Sequence, residues 1–351
     1  MGAERSLRGA GALLPRPAGH RPGALQRQRR RHLRRPYLWD DRIPPRGPCT
    51  DRRAQAGRAP CRRHHVRGRR HGGGGAFRGH AATGDAVTGE ALTGGAVTLD
   101  LSGAAATLTL RRADSGNRLG REMAAALCEA AERLAAAPGL RALHLRAEGL
   151  NFCVGGALDE FGTDEPLSRR LARDLPAIHG AVATLAALPF PVVTELRGAV
   201  AGGGIGLALL GDIILASDTT FFRAGYPGVG LSPDLGGSWQ MLRRSGVTFA
   251  SEFLMSNRRM TAAEALTRGI VTAVHPDAAL SQAARACVEM LATGPTRAHA
   301  ALKALIAAPG ADLAAHMARE AEVMAACAAT EDSMAAIDAF RARRSPHFAG
   351  R

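Results

Sequence analysis

The chain has 351 residues, of which 46% are hydrophobic, so it can bury a large core and is not disordered throughout. Its formal charge of +15 suggests a nucleic-acid binder, yet 21 arginines and four acidic residues lie in residues 1–80, and residues 81–351 hold 25 basic and 27 acidic residues. The six cysteines form no CxxC pair, and the longest uncharged apolar run, Gly198–Gly211, is too short to cross a bilayer. These features argue against a disulfide scaffold, a metal site and a membrane protein. With no signal-peptide pattern at the N-terminus, we expect a cytoplasmic protein.

The basic excess lies in an extension over residues 1–95, which shows neither helical nor strand periodicity. It holds eight prolines before residue 80, the run Gly72–Gly75 and an arginine tract at residues 29–35. Such a segment buries too little apolar surface to offset a backbone ordering cost of about 1–2 kcal/mol per residue. Three interpretations stay open: a disordered leader, a translation start assigned too far upstream, and a nucleic-acid-binding arm. The extension has few aromatic residues for stacking on bases, which argues against a nucleic-acid partner.

Residues 96–245 predict an α/β core, because strand and helix patterns alternate along this part of the chain. Alternating apolar residues predict a β-hairpin at 97–101 and 106–110 and a further strand at 143–145. Apolar residues at helical spacing, from Met123 to Leu134, predict a helix that ends at Pro138-Gly139. The segments that follow are a helix at about 167–188, a strand at 192–196, a helix opening at 202–204 and a strand at 213–215.

Residues 246–351 predict a C-terminal helical region. Its helical segments are about 279–293, 296–307, 311–328 and 331–343. Thr261 and Glu264 have the spacing of a capping box at the start of another helix, and Gly269 suits the C-terminal end of that helix.

Two glycine clusters, Gly155-Gly156 and Gly202–Gly204, each follow a predicted strand. Glycine lets the backbone approach a ligand closely, and a helix N-terminus leaves N–H groups free. One N–H group from each loop can hold the negative charge that develops on a carbonyl oxygen. Each cluster alone also suits a tight turn, and the pair is the more informative signal.

Three motifs rich in small residues follow one another along the chain. They are Phe-Cys-Val-Gly-Gly at 152–156, Gly-Ala-Val-Ala-Gly-Gly-Gly-Ile-Gly-Leu-Ala-Leu-Leu-Gly-Asp at 198–212 and Gly-Leu-Ser-Pro-Asp-Leu-Gly-Gly-Ser at 230–238. With these motifs the chain resembles the crotonase superfamily, the enoyl-CoA hydratase/isomerase enzymes, and the segments 252–258, 262–274 and 340–348 agree with it. The resemblance covers about 96–351 and implies a spiral of ββα units with a C-terminal helical region that builds trimers or hexamers. It also implies acyl-CoA thioester substrates, with no cofactor besides the CoA of the substrate. The positions that match the oxyanion amides of the family are Gly156 and Gly203.

Departures from the family pattern bear on the reaction. Hydratases of this family place two glutamates across the double bond, and the matching positions here are Gly206 and Tyr226. Neither side chain is a carboxylate, so the two-carboxylate hydration mechanism is in doubt. Asp234 matches the acid/base aspartate of family members that shift double bonds, although an aspartate after proline also caps helices. A double-bond shift needs one base only.

His179 supports an alternative within the same superfamily. Its spacing to Gly203 matches the base histidine of 4-chlorobenzoyl-CoA dehalogenase, whose nucleophilic aspartate matches Asp234, but that enzyme has a tryptophan at the position of Tyr226. A histidine on this helix also suits a packed or solvated position. Tyr226 is expected to line the acyl pocket or to donate a hydrogen bond.

Three further residues have two interpretations each. Cys153 lies in the oxyanion loop without an evident base, which favours packing over a nucleophile. Arg343 and Arg344 suit either CoA phosphates or a solvated helix end.

The main hypothesis is an enoyl-CoA isomerase of fatty-acid metabolism. The alternatives are an enoyl-CoA hydratase, a dehalogenase-like enzyme, a silent fold that only binds CoA esters, and nucleic-acid binding through the arginine-rich extension.

Overall fold

The computed structural model describes residues 95–101, 103–160 and 165–351. All of the predicted extension except Gly95 lies outside these residues, so its three interpretations stay predictions. None of the helices in the described ranges is long and apolar enough to cross a membrane.

The secondary-structure elements alternate through the first part of the described chain. The strands are β1 Val97–Asp100, β2 Ala105–Leu110, β3 Ala142–Ala147, β4 Val192–Leu196, β5 Ala199–Ala201, β6 Ile213–Ser217, β7 Phe221–Arg223, β8 Arg259–Thr261 and β9 Ala273–His275. The helices are α1 Arg121–Ala136, α2 Leu167–Ala186, α3 Gly203–Ala208, α4 Gly237–Ser256, α5 Ala262–Thr267, α6 Asp277–Ala292, α7 Thr296–Ala307, α8 Leu313–Ala328 and α9 Glu331–Arg341. The predicted α/β class is confirmed.

A six-stranded sheet in the order β1-β2-β3-β4-β6-β9 forms the centre of the fold. The predicted hairpin is confirmed, because β1 and β2 pair antiparallel with Leu99 opposite Leu108. The other neighbours in this sheet pair in parallel, as expected where helices connect successive strands. The short strands β5, β7 and β8 form a second sheet.

The two faces of the six-stranded sheet bury different side chains, because successive residues of a strand point to opposite faces. Leu143 and Leu145 of β3 belong to the main core, together with the inner side of α1. The buried residues of α1 recur at the predicted helical spacing: Met123, Leu127, Ala130, Ala131 and Leu134. Ala142 and Val193 belong to a second cluster, in which they pack with Leu280 of α6.

A buried polar network fastens α6 to the sheet. Glu195 of β4 is 3% exposed and accepts hydrogen bonds from His144 Nε2 at 2.9 Å, Ser281 Oγ at 2.7 Å and Arg197 Nη1 at 2.7 Å. Burial raises the pKa of Glu195, but the hydrogen bonds from His144 and Ser281 outweigh it and lower this pKa to about 2. Glu195 is therefore ionised and fully engaged in structural contacts.

The C-terminal part is mainly helical, and α6 to α9 begin and end within two residues of the predicted bounds. The Thr261 side chain accepts the Glu264 N–H at 3.2 Å, and Gly269 follows α5 with a φ of +71°. The short strands β8 and β9 were not predicted, because three residues are too few to show alternation. The predicted boundary between 245 and 246 lies inside α4, where Gly246 has a φ of +76°.

Candidate active site

The two glycine loops lie side by side. This agrees with the prediction that one N–H group from each loop can hold the same oxygen. The Cys153 N–H donates to Ala199 O at 3.2 Å, and the Ala201 N–H donates to Cys153 O at 2.9 Å. This short parallel ladder brings the strand end of one loop against the strand end of the other. It places Gly155 against Gly202, where a Cβ added to Gly202 would lie 3.3 Å from the Gly155 Cα.

Glycine is required where these backbones meet. Gly155 and Gly202 have φ angles of +99° and +52°, which residues with a side chain rarely adopt. A Cβ at Gly204 would lie 2.6 Å from the Cys153 carbonyl oxygen, closer than real Cβ atoms come. The sequence of small residues therefore allows the two loops to touch.

Gly156 and Gly203 each present a free backbone N–H group. Gly203 is the first residue of α3, where helical N–H groups have no intrahelical acceptor. Within the described residues, neither of these two amides donates a hydrogen bond to a protein acceptor. A Cβ added at Gly156 would meet no atom within 4 Å, so the space beside this amide is open. The arrangement suits a carbonyl oxygen that accepts from both amides.

Asp234 lies beside Gly203. Its Oδ1 is 3.1 Å from the point where a Cβ of Gly203 would lie. The Tyr226 hydroxyl donates to the same Oδ1 at 2.6 Å, and Tyr226 is 8% exposed. Burial and the neighbouring Asp234 carboxylate raise the pKa of Tyr226 well above its usual range. Tyr226 therefore stays protonated and donates at neutral pH, while Asp234 Oδ2 accepts no hydrogen bond within the described chain.

The structure closes the space at Gly206. A Cβ at this position would clash with the Leu235 carbonyl oxygen and lie 2.7 Å from the Leu235 Cβ. Leu235 is 2% exposed and has a φ of +48°, an uncommon conformation for a non-glycine residue. The segment that carries Asp234 thus occupies the room that a side chain at 206 would need.

His179 of α2 lies next to the Asp234 segment. The Leu235 N–H donates to His179 Nε2 at 3.3 Å, and His179 is otherwise exposed. A histidine nitrogen that accepts this bond carries no proton, so the proton of the neutral ring is on Nδ1. The hydrogen bond occupies the Nε2 lone pair.

Cys153 is buried beneath the glycine loops. Burial raises the pKa of its thiol to about 12, which keeps the sulfur protonated at neutral pH. This environment supports the packing interpretation of Cys153.

Arg343 and Arg344 lie just after α9 and are exposed. In the described part of the chain their guanidinium groups form no hydrogen bond or ion pair, so the structure does not join them to Asp234 or to the glycine loops. Over the same part of the chain, no group of three or more His, Cys, Asp and Glu side chains is arranged to hold a metal ion.

Sequence reasoning missed two residues of the site, Leu119 and Leu235. A leucine has no chemical signature, and both reach Gly203 or Gly206 from segments distant in the sequence. The turn signal Gly116-Asn117 marks the segment that carries Leu119 but not what that segment contacts.

Comparison with known proteins places this geometry in a family. Residues 100–351 match the family model described as Enoyl-CoA hydratase/isomerase. A "Probable enoyl-CoA hydratase" of Rhodobacter capsulatus is 31% identical over 261 residues, which cover 73% of this chain and 98% of that protein. The 1,2-epoxyphenylacetyl-CoA isomerase of Escherichia coli is 31% identical over 262 residues, covering 70% and 95%. The solved structure of an enoyl-CoA hydratase from Polaromonas sp. JS666 is 30% identical with a TM-score of 0.68, covering 72% of this chain and 100% of that one. The chain therefore belongs to the enoyl-CoA hydratase/isomerase family of the crotonase superfamily and is an enzyme with the crotonase fold.

Proposed function

We propose that the protein moves the double bond of an enoyl-CoA thioester from the 3 position to the 2 position. The observation that carries this proposal is the Asp234 carboxylate beside the Gly203 amide, in a site where Gly206 and Tyr226 replace the two glutamates expected of a hydratase. Hydration needs a group that positions and deprotonates water as well as an acid for the α-carbon. A double-bond shift needs one base that takes a proton from C2 and returns it at C4.

In the proposed reaction, Asp234 Oδ2 removes a proton from C2 of a 3-enoyl-CoA. The C–H electron pair forms the C1–C2 double bond of a dienolate, and the carbonyl π electrons move onto the thioester oxygen. The N–H groups of Gly156 and Gly203 hold that oxygen. When the carbonyl re-forms, C4 takes the proton from Asp234, and the product is the conjugated 2-enoyl-CoA. A positioned base contributes roughly 10²–10⁴-fold to the rate, and one oxyanion donor about 2.7–4 kcal/mol.

Tyr226 has a positioning role in this mechanism. Its hydroxyl engages Asp234 Oδ1 at 2.6 Å, which leaves Oδ2 as the oxygen that carries the proton. Because a hydrogen bond to a charged carboxylate is short and strong, it fixes the plane of the carboxylate.

The reaction needs no cofactor, because the CoA belongs to the substrate. We assign Arg343 and Arg344 to its phosphates, since both guanidinium groups lack a partner within the described residues. Neither arginine reaches the glycine loops of its own chain, so we expect a neighbouring subunit to supply both arginines to the site. Replacing both arginines with alanine should raise KM for the CoA ester and leave kcat unchanged.

We propose a homotrimer or a hexamer built through the C-terminal helical region. Large apolar side chains of α7, α8 and α9 are exposed on the single chain, which supports association through these helices. They are Leu302, Ile306, Leu313, Met317, Met324, Met334 and Phe340. Light scattering coupled to size-exclusion chromatography measures the oligomeric state, and a monomer would contradict the proposal. The widely spaced cysteines support a reducing compartment, the cytoplasm.

A panel of thioesters tests the proposed reaction against its alternatives. The Escherichia coli relative is named an isomerase of an epoxide-bearing CoA ester and not of an enoyl-CoA, and the name of the Rhodobacter capsulatus relative supports a hydratase. We expect turnover of 3-enoyl-CoA esters, followed by the absorbance of the conjugated product. Water addition to a 2-enoyl-CoA without isomerisation would indicate a hydratase. Chloride release from 4-chlorobenzoyl-CoA would indicate the dehalogenase-like alternative, with Asp234 as nucleophile and His179 beside it.

A further inference from the structure

Asn117 holds the segment between β2 and α1 in one conformation. It is fully buried and has a φ of +55°, which asparagine tolerates better than most residues. Its Oδ1 accepts the Arg112 N–H at 2.7 Å, and its Nδ2 donates to the carbonyls of Glu148 at 2.9 Å and Asn151 at 2.8 Å. A buried amide with all these partners makes the segment rigid.

The rigid segment delivers Leu119 to the candidate site. The Leu119 N–H donates to Gly155 O at 2.7 Å, and its carbonyl accepts the Ala157 N–H at 3.2 Å. These two bonds enclose Gly156, so the Leu119 backbone is fixed relative to the first oxyanion amide.

The Leu119 side chain extends to Gly203, whose amide is the second proposed oxyanion donor. Its Cδ1 lies 2.8 Å from the point where a Cβ of Gly203 would lie, and Asp234 Oδ1 lies 3.1 Å from the same point. An apolar methyl group and the proposed base therefore border the same small space beside Gly203. At Gly156 the corresponding space is open.

We infer that Leu119 determines specificity by limiting the substituents on the α-carbon of the thioester. The inference rests on the proposed isomerase function. The α-carbon is bonded to the carbonyl carbon whose oxygen Gly156 and Gly203 hold, and one of its hydrogens faces Asp234. Its second hydrogen then points into the space that Leu119 borders, where a hydrogen fits and a methyl group in its place meets the leucine. Leu119 thus selects thioesters with an unbranched α-carbon.

The test compares 3-hexenoyl-CoA with 2-methyl-3-hexenoyl-CoA in the full-length wild type and in Leu119→Ala. The ratio of kcat/KM for the branched over the linear ester is the readout, because it cancels changes that affect both substrates alike. One methyl group in an apolar pocket changes discrimination by about 10–200-fold, so we expect Leu119→Ala to raise the ratio by that order. Leu119→Val, which removes less volume, should raise it by less.

Val154→Ala is the matched control. Val154 lies on the glycine loop that carries Gly156, but its side chain packs against Gly116, where its Cγ1 is 2.8 Å from the point at which a Cβ would lie. This variant should leave the ratio unchanged. An unchanged ratio in both Leu119 variants, or an equal rise in Val154→Ala, would overturn the inference.

A binding experiment separates this inference from the isomerase proposal. If the wild type fails to isomerise 3-hexenoyl-CoA, the proposed function fails, and calorimetry with hexanoyl-CoA and 2-methylhexanoyl-CoA then tests Leu119 alone. We expect the wild type to bind the branched ester more weakly and Leu119→Ala to reduce that difference. Equal binding of the two esters by the wild type would overturn the inference.

Discussion

Two carboxylates in this enzyme have opposite environments. Glu195, beneath α6, is 3% exposed and accepts hydrogen bonds from His144, Ser281 and Arg197. Asp234 is partly exposed and accepts one, from Tyr226. Both oxygens of Glu195 are engaged and hold the fold together, whereas Asp234 keeps Oδ2 without a hydrogen bond in the described chain and lies beside Gly203, as the proposed proton transfer requires.

We expect the largest effect from replacing Asp234, because an amide at this position cannot take a proton from the substrate. Asp234→Asn should lower isomerisation of a 3-enoyl-CoA by at least about 10²-fold, the low end for losing a general base. Substrate affinity should change little, since the oxyanion donors remain. The variant should also stop exchange of the α-protons with solvent deuterium, measured by NMR. Full activity with full exchange would refute the role of Asp234 and leave His179 as the next candidate base.

Crowding the second amide should have the next largest effect. A side chain at Gly203 meets Leu119 and the Asp234 carboxylate, so Gly203→Val should cost about 10²–10³-fold in kcat, as for a lost oxyanion donor. Circular dichroism should show a folded protein, because the atoms displaced are the ends of side chains. Gly180→Val, on α2 and outside the two glycine loops, is the matched control, since a Cβ there meets nothing within 4 Å. Wild-type activity in Gly203→Val would show that the carbonyl binds elsewhere.

Removing the Tyr226 hydroxyl leaves the Asp234 carboxylate without a hydrogen bond from the described residues and makes its contrast with Glu195 complete. Hydrogen bonds to charged groups contribute about 1.5–3 kcal/mol, so Tyr226→Phe should lower kcat about tenfold or somewhat more. KM should stay near the wild-type value, because the hydroxyl positions the base and does not hold the ester. A rise in KM with constant kcat would instead make Tyr226 a wall of the acyl pocket.

Glu195→Gln should leave turnover unchanged and lower the free energy of unfolding by about 1–3 kcal/mol at neutral pH. The folded-state pKa of about 2 lies below the ordinary value of 4.5, so this contribution is present above pH 4.5 and is lost as the pH falls towards 2. The stabilities of the wild type and the variant should therefore converge in acid, as measured by denaturant titration at several pH values. A constant difference across that range would contradict the assigned ionisation of Glu195.

The smallest effect is expected from removing the basic extension. A chain of Val97–Arg351 should keep its thermal midpoint and its turnover, because the sequence of residues 1–95 offers no periodic apolar face. A drop of more than about 4–8 °C would show that the extension packs on the enzyme. Salt-sensitive binding of the full chain to DNA, lost on truncation, would support the nucleic-acid-binding arm.

Local patterns predicted most of the fold. The hairpin, α1 and the helices α6 to α9 followed from apolar periodicity and capping residues such as Thr261, because these signals are complete within a few turns of chain. The three-residue strands β5, β7, β8 and β9 were missed, since pairing with distant partners defines them and not their own sequence.

The amino-acid sequence was enough to predict the α/β core and the two glycine loops, to show that positions 206 and 226 hold no glutamate, and to single out Asp234 as the candidate base. The groups that surround Asp234 could be read only from the packed chain. The Tyr226 bond to Oδ1, the closure of Gly206 by Leu235 and the approach of Leu119 to Gly203 each join segments that the chain keeps apart. Distances of a few ångströms between such segments depend on how the helices and loops pack against the sheet, and side-chain identity alone does not encode them.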